Sequence, residues 1–284
     1  MNAFRRYAGR AATACALILL AAPAYADGMR RGSIKDAPAP EKPRCTFSAN
    51  VGLTTDYVFR GFSQTAEGPA VQGGFDATCG LFYAGVWASA LDFDGGVGST
   101  DVNSTAFDAH LEMDWYLGIK PVTGKITWDL GVIYYTYPNA QNPGLELNYV
   151  ELKVGASGEI WKDGTLGVTV FYSPDYQLEG GTTWTVETAF SQVLPKIGML
   201  SPTFSALVGY QHNEGSASYR FSFGNTDDSY WYWNAGVTFG FLEKFSLDLR
   251  YWDTNLENNG PSAFCKGSTF QCDERFVATL KFTY

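Results

Sequence analysis

The side chains best equipped for chemistry are few and lie on one side of the chain. In TAFDAHLEMDWYLGIK, Asp108, His110, Glu112 and Asp114 occupy alternate positions, so an extended chain puts an imidazole and three carboxylates on one face. A base oriented by acids is where acid–base or nucleophilic catalysis begins. No serine nucleophile accompanies His110, and the other histidine, His212, precedes a loop with Asp227, Asp228 and Ser229. The acids could attract a cation, but no ligand spacing is diagnostic, so neither metal nor cofactor is expected. Charge without a nucleophile suits electrostatic work, and the chain is not expected to be an enzyme.

The elements that carry these residues must be extended. As a helix, the same segment would scatter its ionisable groups around the cylinder; as a strand, Phe107, Ala109, Leu111, Met113, Trp115, Leu117 and Ile119 form the opposite, apolar face. The same alternation runs through VGLTTDYVFRGFSQT from Phe47 onward: Phe47, Ala49, Val51, Leu53, Thr55, Tyr57 and Phe59 on one side, Asp56 and Arg60 on the other. It recurs along the chain to give 12 alternating segments. The gaps between them alternate too, short turns at one end of the sheet and longer polar loops such as HNEGSASYRFSFGNTDDS at the other.

Strands this long, apolar on one face, match tilted spans of a hydrocarbon layer, where only a closed barrel satisfies every backbone group. The expected fold is therefore all-β: an antiparallel transmembrane β-barrel of 12 strands with short periplasmic turns and longer extracellular loops. Its lumen candidates are Asp56, Arg60, Asp76, Asp108, His110, Glu112, Asp114, Asp129, Glu151, Lys153, Glu187, Asp248, Arg250, Arg275 and Lys281. With Lys125 included, the acids on these faces outnumber the bases, which favours modest cation preference. Tyr116, Tyr135 and Phe171 add bulk to the same lumen.

The chain opens MNAFRRYAGRAATACALILLAAPAYAD, with Arg5, Arg6 and Arg10 before a short apolar run and Ala24-Tyr25-Ala26 at its end. This reads as a signal peptide, residues 1–26, cleaved on export to the bacterial outer membrane. Residues 27–44, rich in proline and poor in large apolar groups, read as a flexible periplasmic tail, and 45–284 as the barrel. Removing three arginines leaves 17 basic residues against 29 acidic, a net charge of −12, which argues against a nucleic-acid partner. The expected partners are outer-membrane lipid and lipopolysaccharide, the barrel-assembly machinery, and small hydrophilic solutes or ions.

Leu280, Phe282 and Tyr284 share one face of the last strand and fit a barrel-assembly signal. Four cysteines follow the leader. Cys265 and Cys272 lie in one loop and are expected to pair. Cys45 and Cys79 lie near the short-turn end of the first hairpin; if Arg60 faces Pro69, Cys79 faces Asn50 and Cys45 falls short of it, so this pairing stays open.

TDYVFRGFSQT (55–65), GPAVQGGFD (68–76) and GLFYAGVWASALD (80–92), with LEMDWYLG and NYVELKVGAS downstream, resemble the TorF family of porins of proteobacterial outer membranes. The resemblance implies a single barrel behind a signal peptide, passive transport of small solutes, and no catalytic residues. The competing expectation is a non-conducting barrel that acts as a scaffold or surface receptor.

Overall fold

The structure is a computed structural model that describes residues 45–93, 109–140, 146–214, 228–256 and 271–284. The leader 1–26, the tail 27–44, Asp108 and Cys265 lie outside the described residues. The strands within them are β1 (Thr46–Thr54), β2 (Val58–Phe59), β3 (Phe62–Ser63), β4 (Ala70–Cys79), β5 (Phe82–Ala90), β6 (Leu111–Ile119), β7 (Val122–Thr123), β8 (Ile126–Thr136), β9 (Tyr149–Trp161), β10 (Gly164–Ser173), β11 (Thr183–Val193), β12 (Ser201–Asn213), β13 (Ser229–Phe241), β14 (Phe245–Thr254) and β15 (Arg275–Thr283).

All but β2, β3 and the short β7 form the wall. Neighbours pair antiparallel in the order β6-β5-β4-β1-β15-β14-β13-β12-β11-β10-β9-β8, and β6 pairs with β8, which closes the ring. The seam between the first and last wall strands is registered by Val51 opposite Phe282 and Leu53 opposite Leu280. The result is a closed antiparallel barrel of 12 strands. Closure leaves no strand edge unpaired.

The period of two decides which side chains face out. Phe47, Phe75, Leu117, Val154 and Leu249 are exposed on the outer face, where a soluble protein would carry polar groups. Aromatic pairs cluster at both ends of that face: Tyr172 with Trp184 (4.5 Å) and Tyr210 with Trp231 (4.9 Å) at the loop end, Phe245 with Phe282 (5.1 Å) and Phe190 with Phe204 (6.3 Å) at the turn end. Leu280 and Tyr284 also face outward. The molecule's buried core, which includes Tyr135, Tyr149, Phe171, Tyr230 and Phe62, lies inside the barrel.

The structure corrects the reading of the first strand. β1 ends at Thr54, Thr55 still bonds to Ala278 of β15, and residues 56–65 then turn into the lumen instead of continuing along the wall. Tyr57 and Phe59, expected to face lipid, point inward. Tyr57 is buried and donates its hydroxyl to Glu112 on β6 (2.6 Å), while Phe59 packs edge-on against Tyr135 of β8 (5.8 Å). Asp56 fixes the inward bend: its carboxylate accepts from Ser63 (2.7 Å) and Thr65 (2.9 Å) and pairs with Arg275 of β15 (3.0 Å).

The inward turn also resets the hairpin register. Asn50 faces Gly74 and Thr46 faces Thr78, so Cys79 does not face Asn50. Cys45 and Cys79 are joined by a disulfide with Cα atoms 4.3 Å apart. Cys272 is disulfide-bonded as well.

Candidate functional site

The site is the lumen and the hairpin that enters it. β2 and β3 pair through Val58 with Ser63 and Phe59 with Phe62, leaving Arg60-Gly61 as a two-residue tip. Both tip residues have positive φ, 49° and 89°, the pattern of the tight turn that matches strand twist. Glycine is required twice at position 61. It adopts the left-handed backbone, and a Cβ there would meet the Thr254 methyl at 2.3 Å.

From this tip the hairpin touches the wall on nearly every side. Arg60 reaches Glu151 on β9 through two parallel bonds, Nη1 to Oε1 at 2.7 Å and Nη2 to Oε2 at 2.9 Å. Its guanidinium lies between the rings of Phe59 (4.8 Å) and Phe171 of β10 (4.9 Å). Tyr230 of β13 donates to the Arg60 carbonyl (3.0 Å), and Phe62 meets the Tyr230 ring at 5.3 Å. Tyr57 packs on Trp87 of β5 (5.3 Å), and Ser63 N–H donates to the carbonyl of Gln271 (2.8 Å). Arg60, Asp56, Ser63 and Glu151 are all buried. Residues 56–65 thus form a plug in the loop-end half of the barrel.

Toward the turn end the inner wall is small and polar. Gly167 and Gly236 stand on its inward rows with Ser157, Thr169 and Ser205, all half-exposed. Three tyrosines lie flat against this wall over other inward glycines. Tyr83 crosses Gly118 and Gly131, where added Cβ atoms would come within 2.5 and 2.4 Å of its hydroxyl, to donate to Asp129 (2.6 Å). Tyr116 lies over Gly85 and donates to Asp76; Tyr232 lies over Gly209 and donates to Glu187 (2.6 Å). Glycine lets each ring hug the wall, and the carboxylate holds its far end.

The candidate charges divide by depth. Asp76, Asp129, Lys153, Asp248, Arg250 and Lys281 sit on inward rows of the wall. Lys153 pairs with Asp129 (2.6 Å), and Arg250 with Asp248 (2.9 Å), with further bonds from Arg250 to Asn234 and Ser205. Glu112, Asp114, Glu151 and Glu187 lie at the level of the plug, the first three buried. Glu112 and Asp114 are lumen residues as expected, but both are buried, and Glu112 is covered by Tyr57 from the folded-in segment. Just outside the strands, burial pushes the Tyr137 phenol well up, and the carboxylates of Glu112 and Asp114 add to the rise. Arg275 serves the plug base through Asp56.

His110 is exposed just before β6, in a cleft it shares with Thr65, Pro69 and Asp92 at the plug base. His212 stands on the outward row of β12, 3.6 Å from Asp228, so the two histidines do not converge. Among the described residues, no group of three or more His, Cys, Asp or Glu could hold a metal ion. Sequence alone missed the ties that make the site: Tyr57 to Glu112, Arg60 to Glu151, and the tyrosine–glycine–carboxylate sets. The one local signal for the hairpin was Arg60-Gly61 flanked by alternating residues.

Residues 38–284 match the family model described as bacterial protein of unknown function (Gcw_chp), a different name from the TorF family that the first hairpin resembles. No curated protein matches the sequence. Among solved structures, the NanC porin is 10% identical over 84% of this chain and 98% of its own, with a TM-score of 0.50. The KdgM porin, 4% identical, covers 84% of this chain and 99% of its own with a TM-score of 0.49. An outer membrane channel of Pseudomonas putida, 11% identical, covers 87% and 99% with a TM-score of 0.48. At such identities the likeness to NanC speaks to the fold alone.

Proposed function

The chain belongs to the Gcw_chp family of bacterial proteins, and we propose that it works as an outer-membrane channel of porin type, passing small hydrophilic solutes or ions by passive diffusion. The observation that carries this reading is the polar, glycine-lined inner wall toward the turn end, with the loop-end half closed by a folded-in hairpin packed against wall rings such as Tyr135, Phe171 and Tyr230. A barrel that served only as a scaffold has no need of small polar residues along half of its inner wall, since small barrels fill that space with side chains. The apolar outer face with its two aromatic zones supports membrane placement. Export by a leader at 1–26, contact with lipid and lipopolysaccharide, and recognition of Leu280, Phe282 and Tyr284 by the assembly machinery belong to the same reading. Catalysis is no part of it.

A modest cation preference is part of the proposal. Asp56, Asp76, Glu112, Asp114, Asp129, Glu151, Glu187 and Asp248 lie in the lumen against Arg60, Lys153, Arg250, Arg275 and Lys281, eight acids to five bases.

The hairpin's contacts around the ring favour a second reading, a non-conducting barrel. Single-channel recording separates the two. The wild-type barrel is expected to give small conductance steps, and a variant with residues 57–64 replaced by a short Gly-Ser link steps several-fold larger. Silence from both, with the barrels intact on gels, would reject the channel and leave the scaffold or receptor.

A further inference from the structure

The two partners of the Arg60–Glu151 ion pair stand on different bodies, one on the inner hairpin and one on the wall. Glu151 stands on β9, while Arg60 rides on a six-residue hairpin, Val58 to Ser63, joined to the wall through loops. Around Glu151 the wall supplies its own aromatic surfaces: Phe171 of β10, Tyr135 of β8, which donates to Glu151 (3.0 Å), and Tyr149, stacked on Tyr135 at 4.1 Å. A carboxylate facing a planar fork of N–H donors, with ring faces beside the cation, is the chemistry that recognises a guanidinium.

Were the hairpin to withdraw, Glu151 would lose its bidentate partner. Lys153, two positions along the same strand, is held by Asp129 at 2.6 Å. Glu151 is 1% exposed with the hairpin in place, so withdrawal would take away its cation and part of its cover together. The withdrawn state therefore calls for a replacement cation. Arg60 does not make full use of its seat either, because its Nε is buried without a hydrogen-bond partner. Among the described residues no group of three or more His, Cys, Asp or Glu surrounds this place, so it is a poor divalent-metal site, which would need several oxygen ligands.

We infer that Glu151, Tyr135 and Phe171 form an organic-cation site on the barrel wall, that Arg60 occupies it as a tethered ligand, and that the solutes admitted by this channel carry a guanidinium group that takes the place of Arg60. The substrate class rests on the channel reading above, whereas the site itself does not. A solute that binds Glu151 competes with the plug's own anchor, so entry and unplugging are one event.

The test uses the full-length barrel in detergent and ethylguanidinium, the tip of an arginine side chain, as probe. Calorimetric titration of Arg60→Ala is expected to show saturable binding in the millimolar range, at least tenfold tighter than ethylammonium, and lost in Arg60→Ala/Glu151→Gln. No saturable binding to Arg60→Ala, or equal binding to the double variant, overturns the site. If Arg60→Ala does not fold, Arg60→Lys serves, since a point charge fills the fork less well. Ethylguanidinium should bind it more tightly than wild type, and equal binding overturns the site. Bilayer recording separates the two claims. Wild-type current enlarged by ethylguanidinium supports both. Current indifferent to the probe in wild type and Arg60→Ala rejects the inference and keeps the channel. Binding without any current from either barrel rejects the channel, and with it the substrate class, and keeps the site.

Discussion

Tyr232 lies so close to Gly209 that a methyl group at that position would stand 2.1 Å from the ring. The ring's far end is held by Glu187, so it cannot step aside without breaking that bond. Gly209→Ala is expected to destabilise the barrel by about 1–3 kcal/mol, the usual cost of overpacking. Gly240→Ala, where the added atom meets nothing nearer than 3.6 Å, should change stability little. Denaturant unfolding in detergent, followed by the gel shift between folded and heated forms, compares them; equal midpoints for the two variants would count against the tyrosine–glycine fit. Also at this scale, Glu112→Gln with Asp114→Asn removes two buried charges while leaving Glu112's acceptor oxygen for Tyr57. Cation preference, read as the reversal potential in a salt gradient, should fall, and the difference from wild type should shrink in concentrated salt, where screening is within about 3 Å. An unchanged reversal potential would show that other residues set the selectivity.

At the level of elements, the base of the plug hairpin hangs on one carboxylate. Asp56→Ala removes the partner of Arg275 and the acceptor of Ser63 and Thr65 together. The loss should fall on residues 56–65 and not on the wall, so hydrogen exchange there is expected to accelerate by at least tenfold while the barrel stays folded. Uniform acceleration across the wall strands would show that the hairpin is part of the barrel's global fold. This hairpin also marks where sequence reasoning stopped. The wall was legible because inward and outward positions alternate without a break from Thr46 to Thr54 and along the later strands. The same alternation runs on through Val58–Phe59, which is a strand too, but one folded inside. A period of two identifies a strand and cannot say which sheet the strand joins. The site was legible to the same depth: parity placed Glu151 in the lumen, but its bond to Arg60, 91 residues away, depends on the whole ring closing.

For the whole molecule, closure joins the ends of the chain, and β15 must find β1 before the barrel is complete. Removing Phe282 to Tyr284 takes away the Val51–Phe282 pairing and the paired bonds between Ala49 and Tyr284. The truncated chain is expected to be exported yet fail to reach the heat-modifiable, membrane-inserted form; normal insertion would mean that the last three residues are dispensable. The Cys45–Cys79 bond acts on the same scale, because it spans 34 positions that include the whole plug. Closing a loop of that length in the unfolded chain is worth about 4 kcal/mol by chain-entropy reckoning. The covalent ring has a consequence for proteolysis. A protease that cuts the chain once between Cys45 and Cys79 frees no fragment, so a nicked molecule migrates as a single chain until a reductant parts it, and the severed hairpin stays attached to the barrel.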